Sequence, residues 1–439
     1  MRTVIPAIAA IAALALTATA SAAEKAIWGP ATLAPGESAF PMYEDLGVDV
    51  FQMQLAWNSV APTRPANPLD PADPAYRWPA TLDNTIAEAR KHGIKVALMI
   101  TGAPPWANGG RPSVWAPSNP GDFAQFAAAA SRRYPPVRRW MIWGEPNLGA
   151  RFKPNVVNDG IAARTYAPIL DGAYGALKSV SSANIVIGGM TWSGGEQRPP
   201  DFIRDMKLAD GTPPRLDWFG HNPFPFRYPN LRTDPQSDFR DMSDLDTLSA
   251  EIDAAYRGTR SLPVRLWLSE FTILSDHGSD AFATFVTRGQ QAVWLKAAFR
   301  IADRLGARVS GLGWFGLIDQ PPAPTASNWG LLTSKLARKP AYDAFYDAPS
   351  RRHAAVVSVP KTVRLAWIKR RGLGVRVSVR SAGMHTLHLR RGNRIIRIAR
   401  FNGSAKTVRL RSRLARRGTY TVRVLTPRGE TQVRTVRVR

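Results

Sequence analysis

The stretch Val137–Asn147, VRRWMIWGEPN, decides the fold. Its tryptophan-rich apolar run has the composition of a buried strand, and it stops at Gly144-Glu145-Pro146. A proline pushes the residue before it off the helical path. The chain therefore leaves the strand without running straight into a helix, and a carboxylate is left standing at the exit. Seven other short apolar runs surround this one: AIWG (26–29), VDVFQMQL (48–55), IKVALMI (94–100), NIVIGG (184–189), RLDWFG (215–220), VRLWLS (264–269) and SGLGWFG (310–316). Between them lie stretches such as DFAQFAAAASRRY and RGQQAVWLKAAFRIADRLG, with apolar residues three and four apart and glycines near several ends. That spacing is helical, and strands alternating with helices form parallel βα units. Eight strands over about 320 residues predict a (β/α)8 barrel, whose active site opens at the C-terminal ends of the strands. A doubly wound open sheet would carry a glycine-rich phosphate turn after its first strand, and none is present.

The chain has 439 residues, 44% of them hydrophobic, enough for more than one core. It has no cysteine, which excludes disulfides, a thiol nucleophile and cysteine-ligated metals. Residues 1–23, MRTVIPAIAAIAALALTATASAA, combine an early arginine, a short apolar run and small residues before Glu24. They read as a secretory signal peptide, so the expected location is extracellular, either free or associated with the cell surface. No later segment is apolar over a length that would span a bilayer.

Charge is distributed unevenly. Residues 351–439 hold 25 of the 59 lysines and arginines but one of the 33 acids, Glu430, which leaves 34 basic and 32 acidic residues before them. A nearly neutral body thus carries a strongly basic tail. In the tail, GVRVSVR, HTLHLRR, KTVRLRS, TYTVRVLT and QVRTVRVR alternate at period two between turn signals, which predicts a small antiparallel β-sandwich. The expected organisation is a signal peptide (1–23), a barrel (24–347), a linker (348–355) and a basic β-sandwich (356–439). Such a charge attracts polyanions. Outside a cell the expected partner is an anionic cell-wall polymer or exopolysaccharide. Specific nucleic-acid binding is not expected, since the domain has only Trp367, Phe401 and Tyr420 as stacking aromatics.

Two of the nine glutamates, Glu145 and Glu270, end tryptophan-bearing strands, in RRWMIWGE and VRLWLSE. A carboxylate at the edge of an apolar pocket is costly unless paired or protonated. Glycoside hydrolysis uses that arrangement, with one carboxyl donating a proton and the other attacking the sugar or activating water. Trp57, Trp106, Trp314 and Trp329 lie at strand ends or in the loops just after them, where a ring can stack on a sugar and its N–H can donate. His221, ending the sixth strand, reads as a neutral contact to ligand or carboxylate. No metal-binding spacing is present, and neither a metal nor a cofactor is expected.

The segment WMIWGEPN resembles the acid/base motif of clan A glycoside hydrolases, particularly families 39 and 5, and LWLSEFTI is similar to the clan's nucleophile strand. AWNSVAP, TGAPPWANGG, WFGHNPFPF, GWFGLID and NWGLLTSKLARKPAYDAF agree in order, so that the resemblance spans residues 26–347. It implies a secreted retaining glycosidase with Glu145 as acid/base and Glu270 as nucleophile, about 5 to 5.5 Å apart. It also implies a carbohydrate site involving Gln52, Asn147, His221 and Asn222 beside the tryptophans. Gly144 stands where the family usually has an asparagine on the sugar's 2-hydroxyl, and Gln52 lies near its usual arginine. Either Asn147 or Asn222 takes over that role, or the barrel binds carbohydrate and cleaves it poorly.

Overall fold

The computed structural model describes residues 23–34, 36–231, 234–235, 238–276, 285–323, 326–350, 356–378, 384–392, 394–402, 405–413, 415–425 and 431–439. The signal-peptide reading of residues 1–22 and most of the expected linker lie outside the described residues.

Eight strands close into a barrel: β1 (Glu24–Trp28), β2 (Val50–Ala56), β3 (Lys95–Thr101), β4 (Arg139–Ile142), β5 (Ile185–Trp192), β6 (Trp218–Asn222), β7 (Arg265–Phe271) and β8 (Val309–Phe315). Every neighbouring pair is parallel, and β8 returns to β1 with Ile27 opposite Trp314. The strands are apolar on both faces because each is covered on both. Outward side chains such as Ile27, Phe51, Leu98 and Trp140 pack under the surrounding helices. Inward ones, Ala26, Val50, Ala97, Met141, Ile187 and Trp267, fill the barrel and form the floor of its C-terminal mouth. Thr287 and Gln290 close a reciprocal capping box at the start of the Arg288–Leu305 helix, which satisfies two N–H groups that helix geometry leaves open.

The basic region forms two sheets around its own apolar cluster, which includes Leu387, Leu389, Tyr420, Val422 and Val436. One sheet has three antiparallel strands, Val356–Ser358, Leu373–Ser378 and Ala405–Leu410. The other orders Thr362–Val363, Thr431–Val438, Gly418–Leu425, Met384–Arg391 and Arg394–Asn402. Two details depart from the expected sandwich: Thr362–Val363 pairs parallel to Thr431–Val438, and a short helix, Leu365–Arg370, leads into the next strand. Among the described residues no helix is long and apolar enough to cross a membrane.

Candidate active site

The turn after β4 sets the site. Trp143 and Glu145 both have positive φ, 61° and 50°, a region that costs a non-glycine residue on the order of 1–3 kcal/mol. Neighbouring bonds hold it. The Trp143 N–H donates to Ile100 at 2.8 Å, its indole donates to the Arg151 carbonyl at 2.9 Å, and the Glu145 N–H donates to Met190 at 3.0 Å. Asn147 finishes the turn from a fully buried position. Its amide donates to the carbonyls of Trp192 and Gln197 at 3.1 Å each, and its oxygen accepts from the Trp192 N–H at 2.8 Å. Pro146 keeps the chain from winding on. The result is a carboxylate turned back over the barrel mouth.

Glu270 reaches the same cleft from the C-terminal end of β7. The cleft has a volume of about 360 Å³, and Trp28, Gln54, Asn58, Met99, Arg151 and Phe315 line it together with the two glutamates. Burial pushes Glu270 well above the usual carboxylate range, the neighbouring Glu145 charge adds to the rise, and the Arg151 guanidinium opposes it. Burial also raises Glu145, opposed by a hydrogen bond from Asn222 and by Arg151. Asn222 donates to Glu145 Oε1 at 3.0 Å, and Arg151 Nε stands 3.7 Å from Oε2 on an exposed side chain. Two carboxyls that repel across one cleft retain a proton between them at a pH where each alone would be ionised.

Only part of the expected sugar shell reaches this cleft. Gln52 is buried beneath it: its amide donates to the Ser269 carbonyl at 2.8 Å, and its oxygen accepts from the Trp267 indole and the Ser269 hydroxyl. It fixes the backbone immediately before Glu270 and has no free face for a sugar. Asn147 is consumed by the turn. His221 is buried between Thr191 and the Arg240 carbonyl, both at 2.8 Å, and burial lowers its pKa to about 4, so it is neutral. Trp57 packs against Phe126 and Phe123, and Trp106 is covered by the Arg64 guanidinium at 4.4 Å. Trp314 turns outward against Phe271 and donates to the Trp329 carbonyl. Their packing removes Trp57, Trp106 and Trp314 from the sugar surface that chain position suggested. Trp329 stands edge-on to Phe315, behind the cleft wall. Asn222 alone of the eight touches a cleft carboxylate.

The residues that line the mouth instead were legible from one rule. Trp28 and Phe315 are the last residues of β1 and β8, and Gln54 lies two residues beyond Gln52, on the same face of β2 but one layer nearer the opening. Gly144 is explained by Met99: a Cβ added there would lie 2.8 Å from the Met99 sulfur. A thioether thus occupies the space where a side chain at position 144 would begin. Among the described residues no group of three or more His, Cys, Asp or Glu could hold a metal ion. A larger hollow, about 540 Å³, lies around Lys95 and Val137 at the opposite end of the barrel and holds neither carboxylate.

No family model and no curated protein matches the sequence. Solved structures do match its fold. A family 39 glycoside hydrolase from the gut symbiont Bacteroides cellulosilyticus aligns at TM-score 0.56 and 16% identity, over 93% of this chain and 74% of that one. A glucosidase from Croceicoccus marinus aligns at 0.52 and 14%, over 89% and 93%. A monomeric β-xylosidase from Caulobacter crescentus aligns at 0.52 and 14%, over 84% and 82%. At that identity the likeness establishes the architecture, a (β/α)8 barrel extended by β-structure.

Proposed function

We propose that the protein is a secreted retaining glycoside hydrolase, with Glu145 as acid/base and Glu270 as nucleophile. The observation that carries this reading is the pair itself: two carboxyls, one in the turn after β4 and one on β7, face one open cleft, burial raises both, and the Glu145 charge raises Glu270 further. A retaining mechanism needs one proton in such a pair. Glu145 delivers it to the leaving oxygen as Glu270 attacks the anomeric carbon, and later takes one from the water that frees the sugar. In the productive complex the shared proton sits on Glu145, whose position just after β4 matches the acid/base motif. Trp28 and Phe315 offer aromatic surface for a sugar ring, and Gln54 and Asn58 offer hydrogen bonds. The glycosidases that share the fold support the same class. The short apolar N-terminal segment supports export.

A panel of aryl glycosides and polysaccharides tests the reading. Glu145→Ala and Glu270→Ala are each expected to lower turnover by 10²–10⁴-fold or more, with the product's anomeric configuration retained in the native protein. Turnover that survives Glu270→Ala, or an inverted product, would end the double-displacement assignment.

A further inference from the structure

We propose that the outer face of the five-stranded sheet is a binding surface for a carboxylate-bearing polysaccharide. The inward residues of this sheet, Leu387, Leu389, Tyr420, Val422, Val424 and Val436, form the core. Strand alternation therefore turns His388, Arg390, Arg423 and Arg437 to the other side. Register brings the basic groups together. His388 lies opposite Arg423 on one neighbour and Ile398 on the other, Arg390 lies opposite Thr421, and Arg400 lies opposite Thr386.

Arg390 and Arg423 are thus diagonal neighbours on adjacent strands, a separation of about 7–8 Å that lets one ligand reach both long side chains. The local field registers on His388, whose affinity for a proton is held down by burial and then by Arg390 and Arg423. Residues 351–439 contain a single acid, Glu430, against 25 basic residues. A sheet face that clusters guanidinium groups suits an anionic ligand. Guanidinium forks pair with carboxylates through two parallel bonds, and Thr386, Thr421 and His388 add polar groups for hydroxyls. The register rows carry no tryptophan, tyrosine or phenylalanine on this face, which disfavours stacked bases. The class of polymer rests on the glycosidase reading, since a tethered surface raises the effective concentration of the polymer's bonds at the cleft.

The test uses the full chain carrying Glu270→Ala, so that binding is measured whether or not the barrel hydrolyses anything. Polygalacturonate is the probe, with neutral dextran and duplex DNA as comparisons at one ionic strength. Polygalacturonate should raise the His388 titration midpoint by about half a unit or more, with the buried His385 signal as internal reference. The triple change R390Q/R400Q/R423Q should weaken binding about tenfold or more, whereas R413Q/R416Q/R417Q, which removes the same charge elsewhere, should cost less than about threefold. Equal losses in the two triples, an unmoved His388, or DNA binding as tight as polygalacturonate would each overturn the proposal. The His388 shift needs no substitution in the sheet, so it stands even if the first triple fails to fold.

Discussion

At the N-terminal end of the barrel Glu24 is fully buried. Its carboxylate takes bonds from Arg139 at 3.0 and 2.7 Å and from Lys95 at 2.6 Å. Beside it Lys25 is equally buried, with Nζ on the carbonyls of Leu46 and Phe345 and its ammonium over the Phe345 ring. At the C-terminal end Glu145 has one amide and a distant arginine, and no donor among the described residues reaches Glu270. The same residue type is neutralised by partners at one end and left to compete for a proton at the other. Satisfied charge anchors strands, and unsatisfied charge held over a cleft is available for chemistry.

Substitutions at the two ends should separate stability from turnover. Glu24→Ala leaves Arg139 buried without its partner and should cost about 3–5 kcal/mol of unfolding free energy, read by denaturant titration, with turnover per folded molecule nearly intact. Glu270→Gln should do the reverse, abolishing turnover with the fold retained. A Glu24→Ala protein as stable as the native one would break the comparison.

A smaller effect is expected at Asn222. Asn222→Leu removes the donor that favours ionised Glu145, a bond worth about 1.5–3 kcal/mol for a charged acceptor. Turnover should fall by roughly tenfold or more. The alkaline limb of the pH–rate profile should move up, because Glu145 then holds its proton to higher pH. A limb that stays in place would show that Asn222 only packs.

The smallest effect is on the pH dependence of stability. Glu145 and Glu270 have folded pKa values above those of unfolded carboxyls. Between those values the folded protein binds more protons than the unfolded one, so stability is full below the unfolded pKa and declines as pH rises through the folded values. Glu270→Gln removes the group whose affinity for a proton is raised further. Its melting temperature relative to the native protein should therefore climb from about pH 4.5 towards neutrality. A difference that is flat with pH would contradict the raised values.

Much of this molecule was legible in its residues. The eight apolar runs fall on the eight barrel strands, and the two strand-ending glutamates meet in one cleft. The sugar shell was harder to read because chain position does not say which way a side chain turns. Trp57 begins a short helix, Trp57–Val60, that swings its ring onto Phe126, and Trp314 faces out of the barrel where Phe315 borders the cleft. Asn147 looked free until the loop after β5 supplied its partners. In the basic region the strand Arg394–Asn402 was missed. Its arginines recur every third residue, which masks the period of two, and the pairing shifts register beside Leu389 and Arg390.

The shared proton at the C-terminal mouth is the claim on which the rest depends, and an isotope-edited carboxyl titration of the free protein reads it directly. Glu145 and Glu270 should titrate as a coupled pair in the native protein, and Glu145→Gln should move the Glu270 midpoint down. A Glu270 midpoint that is unchanged by Glu145→Gln would mean that the two groups do not interact, and the assignment of a common site would be wrong.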